Sequence, residues 1–350
     1  MKLAKRLLFD FAGLSAELRG SAKYPNSYLG FNFHAVSNDY LPHVANISSY
    51  LSANQFENCI EAICRDFKLV SRAEMAAFIA GEAPLPRGKA FFTFDDGLSV
   101  CLGPVLSVME KREIPAVFFI PTDFLDNKSL FQRHAVSLII GKAREVYRSD
   151  RTQFENALTR LGFSPKAITF SEFANRLSGC RNSVEIEAAR EAFEVDTEAF
   201  LSRERPYLSA EQARSLSDHG FFAGAHSLDH SDLSALPREG VERQIIKSCE
   251  IIAGIVGSKP VPFAFPHSSL GLDRGHLAAI ARKCNYVGPF FDSLSRFNPS
   301  PFGVPRFDID PFAEFAEKKD FPQRIISYFD IITWRKRRFC DDNSRKKPSA

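Results

Sequence analysis

Two hydrophobic periods alternate along this chain. Ser27 to His34 alternates as a strand does, and the apolar run Ala90 to Phe94 follows. Ala116 to Ile120 is continuously apolar, as a fully buried parallel strand is. Phe221 to Ala225, Val261 to Phe265 and the short Tyr286-Val287-Gly288 complete the predicted strand set. Between them the spacing changes to that of helices. Phe56, Ile60, Ile63 and Phe67 mark a helix within 54–70, and 105–112 and 277–283 read as two more. Val241, Ile245, Cys249, Ile252 and Val256 share one face of another, closed by Gly257. Ser71 with Glu74 and Ser209 with Gln212 read as capping boxes. Gly81 with Pro84 and Pro86, and Gly220, are the stops. Strand and helix in alternation predict βαβ units and a parallel sheet.

The alternation is broken once. From about 127 to 205 strand signals are few and charges many, with helical runs such as Ser183 to Val195. This predicts a helical insertion between two parts of one domain, 27–335. Residues 1–26 begin with basic residues before an apolar patch that Asp10 interrupts, which predicts a short amphipathic helix rather than a cleaved signal. Residues 336–350 are expected to form a basic, disordered tail. No apolar window approaches the roughly 20 residues of a membrane span, so a cytoplasmic location is expected.

Composition narrows this little. The chain is 45% hydrophobic with 34 Phe, which suits aromatic packing around a barrel. Its net charge of +3 recommends no nucleic acid. Positive charge concentrates in Trp334-Arg-Lys-Arg-Arg-Phe-Cys and Arg345-Lys-Lys, which predicts at most a peripheral contact with an anionic membrane face. The seven cysteines form no Cys-x-x-Cys pair, so neither a disulfide framework nor a thiolate zinc site is indicated.

Reactive polar residues recur at predicted strand ends: Asp95 and Asp96 before Gly97, His226, and His267 after Pro266. In a (β/α) barrel those ends form one face, where the chemistry of such folds is carried out. His226 and His230 are four residues apart, so one helical turn or a wound loop brings both imidazoles to one cation. Two His and one carboxylate leave coordination positions open. The adjacent acids diverge around one volume only if the chain turns at Gly97. An Asp-Asp-Gly turn with no chemistry is the simpler alternative for that tripeptide alone.

Thr93-Phe-Asp-Asp-Gly97 and His226-Ser-Leu-Asp-His230 together resemble the two leading signatures of the polysaccharide deacetylases of the NodB-homology class, carbohydrate esterase family 4. Phe263-Ala-Phe-Pro and Phe33-His-Ala-Val resemble further segments of one branch. The resemblance implies a distorted α/β barrel of the NodB type. It implies a metal-dependent hydrolase that removes N-acetyl groups from a sugar polymer or glycan precursor and releases acetate. Asp96, His226 and His230 would hold one divalent metal, zinc first, though Co, Ni and Fe accept the same ligands. Asp95 would be the general base. Arg306, read as following a short strand, would pair with Asp95 and hold it ionised. Phe265, Pro266 and His267 would form the loop beside the oxyanion. That loop lacks the Arg and Gly that relatives carry, and no histidine follows His276 to match the late general acid. His34 or His267 would substitute, or the step would rely on metal-bound water. Hydrolysis of a small cyclic amide, or glycan binding without turnover, are the alternatives the altered motifs leave open.

Overall fold

The computed structural model describes residues 7–13, 27–165, 167–295, 297–318 and 320–344, with side chains through 333. Seven parallel strands close into a barrel in chain order. They are β1 (Leu29–Phe33), β2 (Ala90–Phe94), β3 (Ala116–Ile120), β4 (Phe222–Ala225), β5 (Val261–Ala264), β6 (Val287–Ser293) and β7 (Val304–Asp308). β7 pairs with β1 through Gly30 and Arg306, Phe31 and Phe307, and Asn32 and Asp308, which closes the ring.

Each strand presents alternate residues to two different cores. Phe119 of β3 and Phe291 of β6 have ring centroids 5.1 Å apart, and Phe91 of β2 lies 6.0 Å from Phe291. These strands are not neighbours, so the rings meet across the barrel interior. Gly30 of β1 makes room for them: a Cβ there would stand 2.4 Å from Phe91. The intervening residues point outward. Phe33, Phe94 and Phe118 stack in a row, with centroids 5.5 and 4.7 Å apart, beneath the surrounding helices.

The helices form where the sequence signals them. Helix α1 covers residues 7–13. Helix α2 (Ala53–Asp66) starts at a Ser52–Gln55 capping box, and α3 (Arg72–Ile79) starts at the Ser71–Glu74 box. Helix α4 (Leu102–Met109) connects β2 to β3. Between β3 and β4 lie α5 (Gln132–Ser149), α6 (Arg151–Arg160), α7 (Phe170–Gly179), α8 (Ser183–Ala192) and α9 (Thr197–Glu204). These bury a separate apolar cluster around Ile139, Phe154, Phe173 and Phe193. Helix α10 (Ala210–Ser215) begins at the Ser209–Gln212 box, and α11 (Arg238–Val256) ends on Gly257 at φ +72°. Helices α12 (Arg274–Lys283) and α13 (Phe321–Ser344) complete the fold.

Three details differ from the expectation. Arg306 does not follow a strand but lies within β7, because β7 runs to Asp308 with Arg306 on its interior face. β6 extends well past Gly288, its polar Asp292 buried inside the sheet. The last helix continues to Ser344, through the boundary drawn at 335. Residues 1–6, 14–26 and 345–350, and the side chains of the basic stretch from Trp334, lie outside the described residues, and so does the membrane contact expected of them. Among the described residues no helix is long and apolar enough to cross a membrane.

Truncating the interior ring Phe291 to Ala is expected to cost about 3–5 kcal/mol, since neighbours held in strands cannot collapse into the space. Urea unfolding of the variant beside the parent measures it; a loss below about 1 kcal/mol is incompatible with a filled barrel interior.

Candidate active site

The interior register of β2 leads straight into the site. Phe91, Thr93 and Asp95 occupy successive inward positions, so Asp95 stands on top of the barrel core, 4% exposed. The next residue, Asp96, takes φ +70°, and Gly97 follows at +61°. A Cβ on Gly97 would meet Ile120 Cγ2 at 3.0 Å. The reversal turns Asp96 back over the mouth, so neighbouring carboxylates face one volume.

Asp95 is fixed from three strands. Arg306 Nη1 and Nη2 donate to its two carboxylate oxygens at 2.7 and 3.0 Å, a bidentate pair. Asn32 Nδ2 donates to Oδ2 at 3.1 Å and to Asp308 Oδ1 at 3.0 Å. Thr93 and Asn32 side chains complete the contacts of Arg306 Nη1. Burial alone would raise the pKa of Asp95; the Arg306 charge and hydrogen bonds outweigh it and hold the group below the usual carboxylate range. Sequence reasoning missed Asn32, Thr93 and Asp308 as members of this network. Their signal was the period of two for Asn32 and Thr93, which fall on interior positions of strands already recognised; Asp308 lies at the end of β7, a stretch that the sequence pattern did not mark.

His226 follows β4 directly, and its backbone N–H still donates to Ile120 O. Between His226 and His230 the chain is a wound loop rather than a helical turn, with Ser227 at φ +63° and His230 at +59°. Side-chain bonds hold it. His230 N donates to Ser227 Oγ at 3.0 Å, Leu228 N to Gln244 Oε1 of α11 at 2.8 Å, and Gln244 Nε2 to Asp229 at 2.9 Å. Left-handed backbone at residues other than glycine stores strain, and it clusters where a site dictates the geometry. His267 shares this conformation at φ +59°.

Asp96, His226 and His230 converge, each offering one ligand atom, and all three atoms lie within 4.8 Å of one another. Asp96 Oδ1 is 3.2 Å from His230 Nε2 and 3.7 Å from His226 Nε2. That oxygen is buried and accepts no hydrogen bond. His226 Nδ1 lies 2.9 Å from Ala264 O; donating there leaves the Nε2 lone pair facing Asp96. Burial keeps His226 neutral by pushing its pKa down to about 4, against the pull of Asp95 and Asp96. Burial also opposes ionisation of Asp96, yet the nearness of His230, with Nε2 3.2 Å away, and the surrounding positive groups hold its pKa far below the usual range. A buried carboxylate oxygen without a hydrogen bond, facing two imidazole nitrogens, is a donor set that fits one divalent cation.

His34, at the end of β1, points into the same cleft. Its Nδ1 lies 2.8 Å from Asp310 Oδ2, and its backbone N–H donates to Asp310 Oδ1 at 3.3 Å. Burial disfavours the imidazolium, but the Asp310 hydrogen bond and charge, with Asp96 and Asp95 beyond, raise its pKa well above the ordinary value. Asp310 too went unread in the sequence, since it opens the short 3-10 helix after β7, where strand alternation has ended. The third loop is also present. Phe265 is buried against Phe290, Pro266 is buried, and exposed His267 sets its ring 5.0 Å from His230. The altered motif is anchored by Ser269, whose Oγ and backbone N–H both donate to buried Asp292 of β6. Asn298 Nδ2 and Phe302 N also donate to Asp292.

The expected site residues thus come together in one cleft of about 440 Å³ at the C-terminal mouth of the barrel. Arg306 lies beneath it, in contact with Asp95. The insertion forms one wall. Phe131, just before α5, packs its ring 4.4 Å from His230, and Tyr207, beyond α9, lies 2.7 Å from His134 of α5.

The polysaccharide deacetylase family model matches residues 180–288, a segment that contains both histidines and the third loop. The chain resembles the polysaccharide deacetylases in sequence and in fold. The deacetylase PplD of Streptococcus pyogenes, solved in complex with acetate, superposes with a TM-score of 0.51 at 12% identity, over 87% of this chain and 99% of that one. IcaB of Ammonifex degensii superposes with a TM-score of 0.50 at 17% identity, over 87% of this chain and 97% of its own. A search of curated proteins finds no match. The matched segment leaves out Asp95 and Asp96; closure of the barrel brings them beside it.

Replacing Arg306 by Met would leave the Asp95 charge buried without its partner, at a cost of about 3–5 kcal/mol. In the parent, Asp95 with its lowered pKa contributes stability above the unfolded carboxylate value of ~3.9, and the contribution fades as pH falls below it. Chemical unfolding of the two proteins should therefore differ most near neutrality and converge toward pH 3. A constant gap across that range would mean that the pair is not ionic.

Proposed function

We propose that this protein is a metal-dependent hydrolase that removes the N-acetyl group of an N-acetylated sugar, in a glycan or a glycan precursor, and releases acetate. The observation that carries the reading is the convergence of Asp96, His226 and His230 in one cleft that Asp95 and His34 also line. The family match over the histidine segment and the shared barrel fold support it.

Asp96 Oδ1 and the Nε2 atoms of His226 and His230 are the atoms that would hold the cation. When bound, a divalent cation polarises an amide carbonyl and lowers the pKa of water from 15.7 toward ~7, and zinc suits these ligands. Asp95, kept ionised by Arg306, is the base that accepts the proton of the attacking water. Asn32 and Arg306 fix its oxygens, so the acceptor needs no reorganisation. The new carbon–oxygen bond leaves negative charge on the former carbonyl oxygen. Phe265 and His267 line the same cleft. As the carbon–nitrogen bond breaks, the amine needs a proton. His34, charged near neutral pH and oriented by Asp310, donates it, the work a late histidine would otherwise do. Acetate and a free amino sugar leave. The His34–Asp310 pair favours turnover over glycan binding alone, because a binding site has no use for a proton donor facing the base.

Acetate release from N-acetylglucosamine oligomers and partially acetylated glycans tests the reading. Cation-loaded protein should release acetate, a chelator should stop it, and Asp95→Asn should lower the rate by at least about 100-fold while cation stoichiometry is kept. No acetate from any glycan, with the cation bound, would sink the proposal. Asp310→Asn removes the hydrogen bond and charge that raise His34, so the alkaline limb of the pH–rate profile should move down by about one unit or more. A limb that stays in place would remove His34 from the role of acid.

A further inference from the structure

The carboxylates at the floor of the cleft each have a partner: Asp95 has Arg306, Asp96 has the two imidazoles, and Asp310 has His34. Asp308 accepts from the Asn32 and Ser293 side chains, and burial raises its pKa. The rim is different. Arg133, in the first turn of α5, and Arg181, in the link from α7 to α8, line the same cleft. Arg133 Nη1 donates to Ser178 O at 2.5 Å and Arg181 Nη1 to Cys180 O at 3.1 Å, both neutral carbonyls. No carboxylate of the described residues comes within ion-pair distance of either. The two cations also act on each other: burial, with the Arg181 charge beside it, pulls Arg133 down to about 10. Arg181 and His267 of the third loop line the same cleft.

Two guanidinium groups that line one cleft, with no carboxylate counter-ion among the described residues, suit an oxyanion. A neutral sugar polymer would leave both unpaired, at the cost of their mutual repulsion. We infer that Arg133 and Arg181 bind an anionic group of the substrate, phosphoryl or carboxylate, carried on or next to the N-acetylated sugar. The inference rests on the deacetylase reading and narrows it to an acidic glycan or a sugar phosphate. It also gives the insertion a task in choosing substrate.

The test uses full-length, cation-loaded protein with Arg133→Gln, Arg181→Gln and the double variant, each checked for an unchanged melting transition. Acetate release is compared among a neutral N-acetylglucosamine tetramer, N-acetylglucosamine 1-phosphate, and an oligosaccharide of alternating N-acetylglucosamine and glucuronate. The parent should prefer one anionic substrate in kcat/KM, and which one identifies the source of the oxyanion. That preference should fall about tenfold per arginine and weaken with added salt. Equal rates on neutral and anionic substrates, or a preference the variants keep, would overturn the inference. Calorimetric binding of glucose 1-phosphate and methyl glucuronide separates the two readings. If no substrate releases acetate but one of these probes binds the parent and not the double variant, the deacetylase reading fails and the anion site stands. Binding held through the cation alone would survive both substitutions and would count against the arginines, as would no binding.

Discussion

A buried arginine and a buried aspartate, held face to face inside a ring of strands, set the terms for the rest of this structure. Arg306 is fully buried and Asp95 nearly so. Removing two charges from water costs several kcal/mol for each ion, and only good geometry with further hydrogen bonds returns it. The barrel supplies that geometry. β7 brings the guanidinium, β2 the carboxylate and β1 the amide of Asn32, and the register between β1 and β7 sets Asn32 against Asp308. Phe119 lies under the guanidinium, 5.1 Å from ring centroid to Arg306 Cζ. The interior therefore changes from aromatic to ionic over one step along the strands, and the ionic layer is the floor of the site.

Above that floor the loops do what strands cannot. A strand sends neighbouring residues to opposite faces, so two adjacent acids serve one site only if the backbone reverses between them. The left-handed turns at Asp96, Ser227, His230 and His267 are four answers to the same demand. Each is over-determined by its surroundings: a crowded glycine after Asp96, the Ser227 and Gln244 bonds around the two histidines, and the Asp292 hub behind His267.

The architecture was legible because its elements obey simple periods. Strands of β1 through β5 and the capped helices lie within a few residues of where alternation and capping boxes predict them. β6 was read too short because Asp292, a buried acid, interrupts the apolar run that marks a strand. β7 was read only as a short strand ending before Arg306, since Pro305 and Arg306 carry no strand signature and Arg306 is tolerable there only because Asp95 waits across the barrel. Local pattern cannot report a charge neutralised by a residue some two hundred positions away. In the site, the aspartate pair and the histidine pair were visible as motifs, whereas Asn32, Asp308 and Asp310 became meaningful only once strand closure set them beside Asp95 and His34.

The division of apolar residues into two cores has a consequence for how such a chain can change. The cluster around Ile139 and Phe154 within α5–α8 is separate from the layer packed outside the barrel strands. Part of the seam between them is built from Phe131, His134, Tyr207 and His43, the last two rings lying 5.7 and 5.0 Å from His134. Substitutions deep in either core therefore leave the other's packing untouched, and their effects add. Lineages are free to lengthen, shorten or resurface the insertion at little cost to the barrel. The seam has no such freedom: Phe131 touches a histidine of the candidate metal set, so its residues must vary in concert or not at all.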